Sequence, residues 1–283
     1  MRVEVKPQRE ILEKYFDIRR LPHSWCPGCG IGTVLGSIIR AADAAGVPKD
    51  DLCIVTGIGC SGLTYNYTRI QAIHGTHGRA LAFATGLKVA NPRLRIVVPM
   101  GDGDCAAIGG NHLIHAARRN IQLCAVVLNN CNYGMTGGQY SATTPLGSTA
   151  STAPYGNVER PMDIAAVAQA AGATYVARCT TYHVRQLINL IAEAIEHKGF
   201  SLVEVLTQCP QLFGRLNKCG SPSQMLRSFK ERAISVKEAS KLGEAELEDK
   251  IVIGELVRKK APEFSQQVWG LVNIACSRKG RGI

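Results

Sequence analysis

Five short, almost wholly apolar runs recur through the chain, each separated from the next by a stretch with helical spacing. They are "LCIVTGI" (52–58), "LRIVVPM" (94–100), "QLCAVVLNN" (122–130), "TYVARC" (174–179) and "SLVEVL" (201–206), and the helix-like segments lie near 31–45, 78–91, 106–119, 162–172 and 183–198. A strand that is apolar at consecutive positions must have both faces buried, which happens where helices cover a parallel sheet on two sides. The alternation therefore predicts a doubly wound α/β domain over residues 1–210, including an N-terminal cysteine-bearing segment. In such sheets ligands gather beyond the carboxyl ends of the strands. The residues that follow them are "GIGCSG", "GDGDCA", "NNCNYGMTGGQ" and "TQCP". From about 211 the composition turns polar and basic, and residues 211–283 are expected to form a largely helical tail or arm that contacts a partner.

With 283 residues and 46% apolar content, the chain can bury a sizeable core in one or two domains. No run approaches the roughly 18 to 20 apolar residues of a membrane span, and "MRVEVKPQRE" lacks the apolar core of a signal peptide. A cytoplasmic protein is expected, with no membrane contact. Eleven scattered cysteines, an odd number, argue against a secreted disulfide scaffold and for some thiols as ligands. The net charge of +11 points to an acidic partner, whether nucleic acid, phosphorylated cofactor or protein. A nucleic-acid module would need aromatics interleaved with the basic residues, and aromatics make up only 6%; no nucleic-acid partner is expected.

The strongest local signal is a run ending in Gly101-Asp102-Gly103, followed one βαβ crossover later by a run ending in Asn129-Asn130. Adjacent parallel strands would bring a carboxylate and an amide oxygen to one rim, the hard oxygen ligands that magnesium takes. Glycines at 101 and 103 allow backbone N–H groups to approach a phosphate, and a helix opening near Cys105 adds its positive end. Gly-Asp-Gly alone is also an ordinary strand-to-helix turn, so the Asn pair is what makes magnesium plus diphosphate specific. "SWCPGCGIG" sets two thiols three apart and leaves a disulfide, a zinc ion, a redox pair and an iron–sulfur cluster open. Cys60 and Cys209 each follow an apolar run and so can share the rim with the diphosphate site.

With its flanking residues this pattern resembles the beta subunit of the 2-oxoacid:ferredoxin oxidoreductases. The matching stretches are "WCPGCG", "GIGCSG", "HGRALAFATGLKVANP", "GDGDCAAIGGNHLIHAARRN", "NNCNYGMTGGQYSATTP" and "VEVLTQCP", spanning residues 25 to 210. The "HGRA…ATGLK" and "GDGD…IGGNH" segments look most like the 2-oxoglutarate branch, with the pyruvate and branched-chain branches as alternatives. The resemblance implies thiamine diphosphate approached by Gly59, Ser61, Gly101, Gly103 and Asp104, with Met135 and Thr136 on the thiazolium side. It implies magnesium on Asp102, Asn130 and the carbonyl of Asn132, and a [4Fe–4S] cluster on Cys26, Cys29, Cys60 and Cys209. A structural zinc, the competing reading, usually shows a second close Cys or His pair, and none occurs. A thioredoxin-like pair leaves Cys60 and Cys209 unexplained.

The implied reaction is decarboxylation of a 2-oxoacid with coenzyme A to an acyl-CoA (succinyl-CoA for 2-oxoglutarate) and CO2, with electrons passing through the cluster to ferredoxin. A thiamine-dependent decarboxylase without electron transfer, carrying a zinc, is the alternative. Thiamine enzymes activate the cofactor with a Glu on its pyrimidine, yet no Glu occurs between Glu13 and Glu159. In the family that acid comes from the alpha subunit, so the resemblance implies activity only in a heterodimer or dimer of heterodimers, gamma and delta subunits being further possible members. His77 and Arg79 are candidate contacts for a substrate carboxylate, or else belong to a turn. Lys88 reads as a helix-face charge, Trp25 as a shield for the cluster and Trp269 as packing for the tail.

Overall fold

Runs that are apolar at every position need cover on two sides, and the fold supplies it. The computed structural model describes residues 7–278. Its strands are β1 (Leu52–Thr56), β2 (Gln71–His74), β3 (Arg95–Gly101), β4 (Cys124–Asn129), β5 (Tyr175–Thr180), β6 (Ser201–Leu206), β7 (Ala233–Ser235) and β8 (Ile251–Arg258). Its α-helices are α1 (Gln8–Tyr15), α2 (Ile31–Ala44), α3 (Ala80–Ala90), α4 (Gly110–Arg119), α5 (Ile164–Ala170), α6 (Val184–Glu196), α7 (Pro222–Arg232), α8 (Val236–Ala239), α9 (Glu244–Leu247) and α10 (Phe264–Arg278). One sheet runs in the order β2-β1-β3-β4-β6-β5-β8-β7. The first six strands are parallel, β8 is antiparallel to β5, and β7 is parallel to β8.

Alternate residues of each strand feed different cores. Leu52, Ile54, Val97, Val126, Leu128, Val203 and Val205 join one with α2 and α6. Cys53, Val55, Ile96, Val98, Ala125, Val127 and Leu202 join the other with α3, α4 and α5. Within α2 the buried residues Ile31, Val34, Leu35, Ile38, Ile39 and Ala42 recur every three or four positions, one face of a helix. Each large aliphatic side chain so buried contributes about 1.5–3 kcal/mol.

Chain order in the sheet creates the crevice. After β1 the chain lays β2 on one side and β3 on the other, so the loops leaving β1 and β3 diverge at the carboxyl rim. The carboxyl ends of β3, β4 and β6 follow next to it in the sheet. The helix expected to open near Cys105 starts instead as a wide helical turn, Gly103–Ala107, and becomes regular at Gly110.

The region after 210 differs from a simple helical arm, because β8 and β7 extend the sheet beyond β5. "IVIGELVR" buries Ile251, Ile253 and Val257, but charged neighbours on both sides mask it in composition. The Glu263 carboxylate accepts the N–H groups of Ser265 and Gln266 at the start of α10 and that of Gln122 before β4. Trp269 Nε1 donates to the carbonyl of Val89 at 2.8 Å, so the indole fastens α10 to α3. Lys88 is not a solvated helix-face charge: it is 1% exposed, and its Nζ donates to the carbonyls of Pro92 and Leu94. Burial pulls its pKa down to about 8.

Candidate cofactor site and thiol group

A cavity of about 310 Å³ occupies the crevice. It is lined by Gly59 and Ser61 after β1, by Gly101, Asp102, Gly103 and Asp104 at the end of β3, and by Asn130, Asn132, Met135 and Thr136 after β4. Every diphosphate- or magnesium-type residue singled out in the sequence therefore faces one space, together with His77 and Cys60. Arg79 does not line it; its guanidinium donates to the carbonyl of Ile108 at 3.1 Å. Gly103 has a packing reason for being glycine, since a Cβ there would stand 2.2 Å from the ring of Tyr133, which also lines the cavity.

Asp102 is 1% exposed, and its Oδ2 accepts the hydroxyls of Ser141 and Thr143 at 2.5 and 2.6 Å. Burial raises its pKa, while the two hydroxyls and the Asn130 N–H pull the other way. A divalent cation beside this carboxylate would favour the charged form. Asn132 Oδ1 is buried with no hydrogen-bond partner among the described residues, a second oxygen suited to a cation or its water shell. The sequence pointed to the carbonyl of Asn132; the unsatisfied atom is in its side chain. Neighbouring Asn130 Oδ1 accepts the Asn132 N–H at 3.3 Å. One carboxylate with amide oxygens fits magnesium.

Behind these groups runs a buried polar chain. Thr143 Oγ1 also lies 3.0 Å from Asn129 Oδ1, and Asn129 Nδ2 donates to Glu204 Oε1 at 2.8 Å. Glu204, 2% exposed, accepts Arg178 Nε at 2.8 Å, and Arg178 also donates to Asp163. Asn129 Oδ1 further accepts the N–H of Cys131, which sits at φ +59 in the left-handed region. The amide thereby helps hold the tight turn that presents residues 130 and 132 to the cavity. Ser141, Thr143, Arg178 and Glu204 were missed in the sequence. The hydroxyl-rich "SATT" and a lone acid inside the apolar run "SLVEVL" were the available signals.

On the β1 side, Asp104 Oδ1 accepts the Gly78 N–H at 2.6 Å and lies 2.9 Å from His77 Nδ1. The same Nδ1 is 3.0 Å from the carbonyl of Ile58. Both neighbours are acceptors, which places a proton on Nδ1 and leaves Nε2 for a ligand.

Three loops bring the candidate cluster cysteines together. The Cys26–Cys29 turn closes through Cys29 N–H to the Cys26 carbonyl at 3.0 Å. It is tied to the segment after β6 by Gly30 N–H to the Gln208 carbonyl and by Gln208 Nε2 to the Gly28 carbonyl. Gly30 permits this approach, because a Cβ would stand 2.1 Å from Thr207 Oγ1. Gly28 adopts φ +77 with Pro222 pressed on it, where a Cβ would meet the proline at 2.4 Å. Trp25, 7% exposed, donates its Nε1 to the Cys60 carbonyl at 2.8 Å, fixing the turn after β1. Burial pushes the Cys29 thiol up to about 12, and Cys209, Cys60 and Cys26 add to the rise. Burial, then Cys209 and Cys26, raise Cys60 to about 11. The four sulfurs thus share one electrostatic neighbourhood. Among the described residues, no three His, Cys, Asp or Glu side chains are grouped so as to hold a single metal ion. Of the remaining cysteines, Cys53, Cys105, Cys124 and Cys179 are buried core residues.

Residues 57–205 match the family described as thiamine pyrophosphate enzyme, C-terminal TPP binding domain. The chain is 48% identical over 259 residues to the 2-oxoglutarate synthase subunit KorB of Methanocaldococcus jannaschii, covering 92% of this chain and 96% of the relative. It is 54% identical over 217 residues to KorB of Archaeoglobus fulgidus, covering 77% and 79%. Among solved structures it resembles a 2-oxoglutarate:ferredoxin oxidoreductase from Magnetococcus marinus with 2-oxoglutarate, coenzyme A and succinyl-CoA bound. The TM-score is 0.82 at 32% identity, with 95% of this chain and 90% of that chain covered. The crevice, its oxygen groups and these likenesses together lead to one conclusion: the chain belongs to the KorB-type beta-subunit family of the 2-oxoacid:ferredoxin oxidoreductases.

Proposed function

We propose that this chain is the cofactor-binding beta subunit of an enzyme that converts 2-oxoglutarate and coenzyme A to succinyl-CoA and CO2 and passes the electrons to ferredoxin. The observation that carries the reading is that Cys60, whose thiol is raised by burial and by Cys209 and Cys26, lines the same cavity as Asp102, Asn130 and Asn132. Asp102, Asn130 and Asn132 would hold magnesium, and Gly59, Ser61, Gly101, Gly103 and Asp104 would meet the diphosphate and pyrimidine. Met135 and Thr136 flank the reacting side. When bound, thiamine diphosphate supplies a carbon nucleophile for the 2-oxoacid and a sink for the electrons left by CO2 loss. Cys26, Cys29, Cys60 and Cys209 would ligate a [4Fe–4S] cluster, which would accept the electrons left by CO2 loss one at a time. Asp104 and Ile58 fix the His77 ring through Nδ1, and its Nε2 would meet a substrate carboxylate only as Nε2–H, with both ring nitrogens protonated.

No Glu lines the cavity, and the buried Glu204 is committed to Arg178 and Asn129. The activating acid is therefore assigned to an alpha subunit, in a heterodimer or dimer of heterodimers. Apolar side chains at and near the rim support such cover: Ile58, Phe83, Ile108 and Met135 are all exposed, and Tyr155 and Val158 are 102% and 89% exposed. Residues 211–283 are assigned further partner contacts. Among the described residues no helix is long and apolar enough to cross a membrane, and the cytoplasm is the proposed location.

The test is anaerobic co-expression with the neighbouring alpha subunit, followed by coenzyme A-dependent reduction of methyl viologen with 2-oxoglutarate, pyruvate and branched-chain 2-oxoacids in parallel. Activity strongest with 2-oxoglutarate, together with iron and thiamine diphosphate in the purified complex, is expected. Zinc in place of iron, or full activity of the isolated chain, would refute the proposal.

A further inference from the structure

We infer that the exposed face around the Cys26–Cys29 loop is the docking surface for a small acidic electron-carrier protein of the ferredoxin type. This inference rests on the electron-transfer reading above and adds the place where the electrons leave.

Among the four thiols only Cys26 is exposed, and Pro27 and Gly28 beside it are exposed as well; Cys29, Cys60 and Cys209 are withdrawn. This loop is therefore the thiol group's contact with the outside. Two grooves border it. One lies between the start of α2 and α6 and includes Gly32, Thr33, Arg40, Val184 and Arg185. Gly32 and Thr33 follow Cys29 by three and four residues, which fixes that groove to the loop. The other runs along α7 and includes Tyr182, Ser223, Arg227, Lys230 and Glu231. Helix α7 begins at Pro222, which presses on Gly28, so the groove starts one residue beyond that contact, at Ser223. Tyr182 in one groove and Val184 in the other are two residues apart, so the grooves adjoin.

Charge on this face is one-sided. Arg40, Arg185, Arg227 and Lys230 line the grooves against a single acid, Glu231. Among the described residues Arg185, Arg227 and Lys230 form no salt bridge; Lys230 lies 5.8 Å from the Tyr182 ring and Arg40 donates to the Gly36 carbonyl. Uncompensated cations at a partly exposed site raise the encounter rate with an acidic partner and pair with its carboxylates. Tyr182 and Val184, 42% and 37% exposed, give the centre an apolar patch that a docked protein would cover. A basic rim around an apolar centre, with the one exposed thiol loop between, fits an acidic protein that must bring its own redox centre close.

The test uses the assembled enzyme carrying Arg227→Glu with Lys230→Glu, and separately Arg185→Glu. Each is assayed with methyl viologen, which needs no protein docking, and with ferredoxin across a range of salt. The double variant should raise the KM for ferredoxin about tenfold at low ionic strength and flatten its salt dependence, with dye reduction unchanged; Arg185→Glu should do so to a smaller degree. An unchanged ferredoxin KM in both variants, with normal dye reduction, overturns the docking surface and leaves the enzyme reading standing. Loss of co-purification with the alpha subunit also overturns it, since the face would then be a subunit interface. Should the wild type fail to reduce dye with any 2-oxoacid, the enzyme reading is what fails. Direct titration of ferredoxin against wild type and variants, which needs no turnover, then decides the surface by itself.

Discussion

The two halves of the rim are built in opposite ways. On the oxygen side, Asp102 is held by Ser141 and Thr143, and Thr143, Asn129, Glu204, Arg178 and Asp163 continue the chain through three strands and a loop. On the sulfur side the four thiols sit on three loops positioned by main-chain bonds and tight packing at Gly28 and Gly30. A carboxylate or amide can be aimed in advance, because it accepts strong hydrogen bonds that also lessen the cost of burying it. A thiol is a weak donor and acceptor and carries a proton until a metal displaces it, as the raised Cys29 and Cys60 show. Its position must therefore come from the backbone. The lesson is that the oxygen groups proposed as hard ligands are pre-organised through side-chain networks and the thiols proposed as soft ones through the course of the chain.

This contrast predicts that the two halves fail separately. Asp102→Ala should cut 2-oxoacid-driven dye reduction at least about a thousandfold by removing the magnesium carboxylate, with iron per chain nearly normal. Joint loss of iron and activity would show that the halves are one unit. Cys209→Ser should lower ferredoxin reduction by about a hundredfold, while thiamine diphosphate still binds by calorimetric titration; full activity would put the fourth ligand elsewhere. Glu204→Gln probes the network at a distance from any ligand. Its amide keeps one acceptor oxygen where the carboxylate has two, so either Asn129 Nδ2 or Arg178 Nε meets an N–H instead of an oxygen and the Glu204 charge beside Arg178 is lost; magnesium affinity should fall about tenfold and stability by about 3 kcal/mol. A variant with wild-type magnesium affinity and a lowered Tm would make the chain behind Asp102 structural only.

How far each half was legible follows from the same distinction. Asp102, Asn130, Cys60 and Cys209 could be placed because each follows directly on an apolar strand, and parallel strands bring such positions to one rim. Ser141 and Thr143 come from a loop with no periodic signal, and nothing local marks them as partners of a residue some forty positions earlier. Glu204 is visible as an acid in an apolar strand, but its partner Arg178 becomes a neighbour only because β5 pairs with β6 in register at those two positions. His77 and Arg79 are indistinguishable in "HGTHGR", and only the fold turns one toward the cavity and the other to the Ile108 carbonyl.

By itself the sequence determined the alternating elements, the two-sided burial of the central strands and the chemistry available at their ends, because those follow from local periodicity and residue type. Tertiary structure alone decided that β8 joins the sheet beside β5, that Lys88 is buried against carbonyls, and that Glu204 holds Asn129 behind the turn at residues 130–132. Such outcomes depend on which distant segments pass one another, and the energy that settles them is long-range packing and hydrogen bonding, which no short window of residues carries.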